Sequence, residues 1–343
     1  MRMASILALA AAGWAAFAVP ASIAADGQTL AAVKQRGHLI CGGDGNRPGI
    51  SAPDAKGDWK GFDVDFCRVV AAAIFGDPDK VKFIALTVVQ RFPSLQSGEI
   101  DVLSRSTTHN LTRDTTLGFD FSPITMYAHT ALMVHKDLGV KAGKELDGAS
   151  VCVPPGSSIE RNVADFWEQN RIKYTPVVIE NLKELNDAYL AHRCDVVANF
   201  LPGLATVRAY QAAKPEDHVI LPDVLLKEPL AIAYRQGDAQ WKDIVNWAVY
   251  ATFEAEEKGI SSKNVDEALK SRDPEVQRLL GVTADLGDKL GVRKDFVYQI
   301  VKKVGNYEEI WERNVGKDSP LKLDRGLNRL WRDGGVLYSP PFQ

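Results

Sequence analysis

The stretch Gln-Arg-Phe-Pro-Ser-Leu-Gln-Ser-Gly-Glu-Ile-Asp-Val-Leu-Ser-Arg-Ser-Thr-Thr-His-Asn-Leu-Thr-Arg-Asp, residues 90–114, decides how the chain is read. It opens with the spacing of a short amphipathic helix, turns at Ser97-Gly98 and enters an apolar strand at Ile100. The strand runs into hydroxyls at Ser104, Ser106, Thr107 and Thr108, and Arg113 follows. Hydroxyls and amides at the carboxyl end of a strand, with an arginine beside them, form a receptor for a carboxylate. The planar guanidinium fork matches the anion, and the carboxyl ends of strands are where open α/β sheets take ligands.

On either side, strands and helices alternate. A helix over Thr29–Arg36 stops at Gly37, a strand follows at His38–Cys41, and residues 42–49 form a turn-rich loop. The loop is not a phosphate cradle, because no Gly-Lys-Ser/Thr follows it. A helix starting at Gly61-Phe62-Asp63-Val64-Asp65 and running to Phe75, and a strand at Val81–Leu86, complete a β-α-β unit, which argues for a parallel sheet. After an apolar strand at Ala131–Val134 the alternation restarts. Strands are expected at Ser150–Val153, Thr175–Ile179, Asp195–Asn199 and Leu230–Tyr234, and helices at Glu160–Asn170, Leu182–His192, Gly203–Ala212 and Gln240–Lys258. Two α/β lobes are expected, each a sheet flanked by helices: residues 26–130 with 233–343, and residues 131–232. The chain crosses between them twice, near 128–133 and 228–235. The polar tail from Gly259 reads as helical in pieces, closing with a helix at Asn306–Asn314.

The 343 residues are 45% hydrophobic and 25% charged with net charge −3, enough for two globular domains and without the basic excess of a nucleic-acid binder. Met1-Arg2-Met3, the apolar run Ala4–Val19 and the small residues to Ala25 read as a signal peptide cleaved near Ala24 or Ala25, so export is expected. The run is short for a membrane anchor. Export makes disulfides plausible for the four cysteines. Cys41 pairs with Cys67 and Cys152 with Cys194 if each bridge stays within a lobe; free buried thiols are the alternative. The spacing lacks the Cys-x-x-Cys of a zinc site, and no metal cluster or nucleotide fingerprint stands out, so no cofactor is expected.

Gly-Phe-Asp-Val-Asp at 61–65, Gln-Arg-Phe at 90–92, Leu-Gln-Ser-Gly-Glu-Ile-Asp-Val at 95–102, Arg-Cys-Asp-Val at 193–196 and Asn-Tyr-Glu-Glu-Ile-Trp-Glu-Arg-Asn-Val-Gly at 306–316 occur in this order. Together they make the chain resemble the periplasmic substrate-binding proteins of polar amino-acid ABC importers, above all the general L-amino-acid-binding branch, whose cysteines stand at the same places. The resemblance implies the type II periplasmic-binding-protein fold, two lobes that close around a solute, and a monomer that docks on an inner-membrane permease. It places Arg113 on the ligand's α-carboxylate, with Ser106 and Thr108 adding contacts. Arg91 matches an arginine that reaches the distal carboxylate of acidic ligands. Gly156-Ser157-Ser158 matches a turn at a helix start, which favours anions. The bland readings are a structural pairing of Arg91 with Glu99 or Asp101, an N-cap role for Ser157 and Ser158, and a solvated loop position for His109, otherwise a ligand-lining residue. Arg105, on a strand, could point away from the cleft.

Two positions depart from the family. Where relatives carry Tyr-Thr-Thr-Asp, with the Asp on the ligand's α-ammonium, this chain has Val197-Ala198-Asn199-Phe200, and Arg47 replaces an apolar residue. A phenyl ring cannot neutralise an ammonium. Either the ligand lacks one, as a dicarboxylate or aromatic carboxylate would, or Asn199 or another carboxylate receives it. A binding protein is the leading expectation. A periplasmic enzyme resembling cyclohexadienyl dehydratases is the alternative, with Glu160 the nearest acid. A sensory domain ranks third.

Overall fold

The computed structural model describes residues 27–343. The expected signal peptide and its cleavage site lie outside the described residues. In chain order the strands are β1 (Leu39–Gly43), β2 (Ala52–Pro53), β3 (Trp59–Lys60), β4 (Val81–Ala85), β5 (Val102–Thr108), β6 (Phe119–Phe121), β7 (Met126–His135), β8 (Ala149–Val153), β9 (Tyr174–Val178), β10 (Val196–Phe200), β11 (His218–Ile220) and β12 (Leu226–Arg235). The helices are α1 (Gln28–Arg36), α2 (Phe62–Phe75), α3 (Arg91–Ser97), α4 (Ser158–Asn170), α5 (Leu182–Leu190), α6 (Leu201–Thr206), α7 (Ala239–Glu257), α8 (Val265–Ala268), α9 (Pro274–Leu279), α10 (Leu286–Leu290), α11 (Phe296–Lys303) and α12 (Tyr307–Asn314).

A single sheet path, β4-β1-β5-β12-β7-β10-β8-β9, runs through both lobes. The β4-β1-β5 and β10-β8-β9 ends are parallel, as β-α-β alternation requires. The junction is antiparallel. Leu226–Leu230 of β12 pairs with Met126–Thr130 of β7, and beyond that segment the strands part. β7 continues beside β10 in one lobe and β12 beside β5 and β6 in the other. These are the two crossings, and both strands begin a few residues earlier than their apolar cores suggested.

Each lobe buries both sheet faces. In the first lobe α2, α7, α11 and α12 cover one face, with Phe66, Val249, Ile300 and Trp311 in the core; Leu95, Ile100 and Phe119 fill the other. In the second lobe Leu185 and Tyr189 of α5 cover one face, and Val163 and Trp167 of α4 the other. The tail contributes more than its polar composition suggested. Tyr307 and Trp311 are fully buried against Phe62, and the Tyr307 hydroxyl donates to the Thr125 carbonyl at 2.8 Å. Asn328 holds the β7 backbone, accepting from the Tyr127 amide at 2.6 Å and donating to its carbonyl at 3.0 Å.

Local chemistry explains the element ends that matter. α3 stops where Gly98 adopts φ 81. Gly61, at φ 129, lies so close to Ile50 that a Cβ would fall 2.4 Å from its carbonyl group, so only glycine fits before α2. The loop after β1 contains a small β2–β3 hairpin that the turn-rich sequence concealed. The helix expected at Gly203–Ala212 begins earlier, at Leu201 with Pro202 in its first turn, and ends as a π-helical turn at Val207–Gln211.

Both cysteine pairs are bridged. Cys41–Cys67 ties β1 to α2, and Cys152–Cys194 ties β8 to the start of β10, with Cα atoms 6.3 and 5.9 Å apart. Cys152 and Cys194 are separated by 42 residues. Replacing both by Ala is expected to cost about 3–4 kcal/mol through regained chain entropy in the unfolded state, read as a lower urea midpoint. An unchanged midpoint would refute that account.

Candidate functional site

The carboxyl ends of β5 and β10, the start of α4 and the β12 junction enclose one pocket. Arg47, Val88, Arg91, Arg105, Ser106, Thr108, Pro154, Ser157, Ser158, Ile159, Phe200, Glu228 and Leu230 line it. It encloses about 20 Å³, room for roughly one water. A larger groove of about 940 Å³ lies beyond, lined by Phe92, His109, Leu111, Arg113, Arg161 and Asn162, and shares Thr108, Ser157, Ser158 and Glu228 with the inner pocket.

The shape of β5 produces the inner pocket. Opposite β12, Thr107 pairs with Ala231 and Leu103 with Ala233, so Ser104, Arg105 and Ser106 together face Ile232. A bulge of this kind re-aims side chains. Ser106 sits at φ 46, strained for a residue with a Cβ. Asp63, in the first turn of α2, holds it there by accepting from the Ser106 amide at 2.7 Å and its hydroxyl at 2.8 Å.

The bulge turns Arg105 into the pocket wall, where strand alternation left its direction open. Its Nε donates to the Leu86 carbonyl at 2.8 Å and its Nη2 lies 3.0 Å from Asp44. Arg47 also faces Asp44, at 3.5 Å, and its guanidinium lies over the Phe200 ring at 4.9 Å. Arg47 and Phe200, the two positions expected to differ from relatives, are therefore partners, the ring serving as a platform for the guanidinium.

Arg91 differs from both. The structural pairing with Glu99 or Asp101 does not occur. Asp101 is ion-paired with Arg36, and among the described residues no carboxylate lies within ion-pairing distance of Arg91. Arg91 is 4% exposed, its Nε has no hydrogen-bond partner, and its guanidinium stacks on Phe92. Burial holds its pKa well below the usual arginine value, and Arg113, Arg105 and Arg47 push it further down.

Arg113 rises from a π-helical turn at Thr112–Thr116. It donates from Nη1 to the Thr108 carbonyl at 2.7 Å and lies over Phe92 in the outer groove. Burial brings its pKa down to about 10, against the opposing pull of Glu228. His109 is not in the inner pocket. It stacks on Phe121 with ring centroids 4.3 Å apart and faces Asp114 at 3.7 Å.

The serines of the turn divide their work. Ser157 caps α4, accepting from the Glu160 amide at 3.1 Å. Ser158 faces the cleft. Glu160 accepts from the Gly156 amide at 2.8 Å, bracing the same turn.

Sequence reasoning missed Glu228, 2% exposed on β12. Its Oε2 accepts from the hydroxyls of Thr108 and Ser158, the latter at 3.1 Å. Its Oε1 accepts from Thr130 at 2.9 Å and Asn162 Nδ2 at 2.8 Å. The available signal was an acid two residues before Leu230, on the inward face of a crossing strand.

Two outcomes are expected. Arg91→Met should raise the stability of the ligand-free protein by about 1–4 kcal/mol, since a buried charge lacking a partner is costly, while weakening anion binding. A lower melting temperature would contradict it. Burial pushes the Asp63 carboxyl up from 3.8 to about 6, with the Ser106 hydrogen bonds and Arg47 opposing. Between those values the folded protein holds a proton that the unfolded chain has released, so stability falls as pH rises through that window. Asp63→Asn should flatten this part of a melting profile; an unaltered slope would assign it elsewhere.

The sequence pattern of the bacterial extracellular solute-binding proteins, family 3, matches residues 39–265. The general L-amino acid-binding periplasmic protein AapJ of Rhizobium johnstonii is 51% identical over 336 residues, 97% of this chain and 98% of the relative. The glutamate/glutamine/aspartate/asparagine-binding protein BztA of Rhodobacter capsulatus is 45% identical over 96% of this chain and 98% of its own. A solved periplasmic binding protein of an ABC transporter from Brucella ovis, with glutathione bound, superposes with TM-score 0.90 at 48% identity, covering 93% of this chain and 100% of that one.

Proposed function

The chain belongs to the bacterial extracellular solute-binding proteins, family 3, and from that premise we propose that its cleft captures an amino acid with an acidic side chain, or a related dicarboxylate, for an ABC importer. Its relatives are amino-acid-binding periplasmic proteins, which favours a solute carrier over the dehydratase alternative. The observation that carries the ligand class is Arg91, a buried guanidinium facing the pocket with no carboxylate within ion-pairing distance among the described residues. Asp44 already serves both Arg105 and Arg47. Arg91 is thus left as a local, unpaired positive charge at its end of the inner pocket, which a ligand carboxylate would neutralise. At the other end, Arg113 and the amides at the start of α4 would receive the α-carboxylate.

Closure follows from contacts on both sides. The lobes are residues 26–130 with 233–343, and residues 131–232, moving about the β7–β12 junction. A ligand bridging Arg91 and Arg113 on one lobe to Ser158 on the other stabilises the closed arrangement by its differential affinity for it. The closed form would dock on an inner-membrane permease, after export and signal-peptide removal near Ala24 or Ala25.

A longer ligand has one observation in its favour. The outer groove of about 940 Å³ shares Thr108, Ser157, Ser158 and Glu228 with the inner pocket, and the Brucella ovis relative holds glutathione. A γ-glutamyl peptide would place its amino-acid end inside and its remainder in the groove.

Titration calorimetry with the L-amino acids, succinate, glutarate and glutathione tests both readings. Glutamate or aspartate is expected to bind at micromolar strength or better, and Arg91→Ala to weaken acidic ligands by about 30-fold or more while leaving neutral amino acids within a few-fold. Uniform loss across all ligands would remove the side-chain assignment. Glutathione binding more tightly than every amino acid would favour the longer ligand.

A further inference from the structure

We propose that Glu228, acting with the hydroxyl oxygens of Thr108 and Ser158, forms the site for the ligand's α-ammonium group. This rests on the cleft being an amino-acid site, and it answers the problem that Phe200 poses.

The first support is position. Among the residues that line the inner pocket, Glu228 is the one carboxylate. It stands on the crossing strand between Thr108 of one lobe and Ser158 of the other. It therefore faces a ligand held by either lobe, and it lies near Arg113, whose pKa it raises. An α-carbon whose carboxylate lies at Arg113 would carry its ammonium close to this carboxylate.

The second support is the direction of the hydrogens. A hydroxyl has one hydrogen to give. Thr108 and Ser158 both give theirs to Glu228 Oε2. Their oxygens, 3.1 Å apart, are left with lone pairs alone to offer a ligand. Two acceptors backed by a carboxylate suit an ammonium group, whose N–H bonds they would accept while Glu228 balances its charge. They do not suit a carboxylate, which needs donors. Ser106 is committed in the same way, its hydrogen going to Asp63. The donors left for the α-carboxylate are guanidinium and backbone N–H groups.

The third support is that Glu228 is fixed. Thr130 and Asn162 both donate to Oε1, and Asn162 Nδ2 also donates to Thr130 at 2.8 Å. This holds the carboxylate plane and aims Oε2 at the hydroxyl pair. The proposed ammonium subsite would thus lie on the junction strand, while Phe200 at the end of β10 serves as the ring under Arg47.

The test compares L-glutamate with glutarate, which is glutamate without its ammonium, by calorimetry on the wild type and Glu228→Gln. The wild type should prefer L-glutamate by about 100-fold or more. Glu228→Gln should weaken L-glutamate by about 30-fold or more and leave glutarate unchanged or tighter. Glu228→Asp, which keeps the charge, should retain most of the preference. If Glu228→Gln does not fold, judged by its melting curve, Thr108→Val combined with Ser158→Ala takes its place, with the same selective loss expected. Retention of the wild-type preference in these variants, or equal weakening of both ligands, would overturn the ammonium assignment and leave the acidic-ligand reading standing. Glutarate binding the wild type as tightly as L-glutamate would also overturn it. Failure of every amino acid to bind the wild type would remove both.

Discussion

The short antiparallel pairing of Met126–Thr130 with Leu226–Leu230 is the constraint from which the remaining geometry follows. It is the segment where both lobes share one ladder, so the cleft must open and close about it. It carries Thr130 and Glu228 into the interior side by side. It also decides which lobe receives each onward strand, β7 passing to β10 and β12 to β5. A strand pair that is hydrogen-bonded in its middle and diverges at both ends bends readily without losing register, because the side-chain faces stay fixed by the period of two. A carboxylate on such a pair keeps its orientation while the lobes move around it.

Electrostatics divides the cleft into regions of opposite demand. Around Arg91, Arg105 and Arg47 the protein supplies more positive than negative charge, at a desolvation cost that the proposed anionic ligand would offset. Around Glu228 the donors of Thr108, Thr130, Ser158 and Asn162 are already directed at the carboxylate. Such preorganisation makes binding selective, since a solute that mismatches either region leaves a buried group unsatisfied. Stability is spent where function needs it: Asp63 remains ionised at neutral pH in an interior that disfavours it, and it secures the strained turn at Ser106.

Much of this was legible in the sequence. The hydroxyl run after Ile100 and the stop at Gly98 follow from local pattern, because apolar periodicity and turn chemistry act over a few residues, whereas the disulfide pairings, across 26 and 42 residues, rested on the expected division into lobes. The bulge at Ser104–Ser106 did not. It is set by Asp63, more than forty residues away along the chain but 2.7 Å away in space, and no local spacing encodes it. Arg105 was therefore left undirected. Glu228 was hidden for a related reason: Lys227-Glu228-Pro229 reads as the polar approach to a strand, and only the opposing Thr108 and Ser158 give its carboxylate a purpose. The tail looked peripheral because its composition is polar overall, although Tyr307 and Trp311 complete the core against Phe62.

The grip of that tail on β7 limits how the molecule can flex. Asn328 engages both backbone polar groups of Tyr127, and Tyr307 holds the carbonyl of Thr125 just before it. The near end of the strand is thereby clamped to the larger lobe, so a closing rotation of the proposed kind would bend β7 beyond Tyr127, beside the paired segment of β12. Residues far from the cleft in the chain would thus serve as one fixed bearing for the smaller lobe.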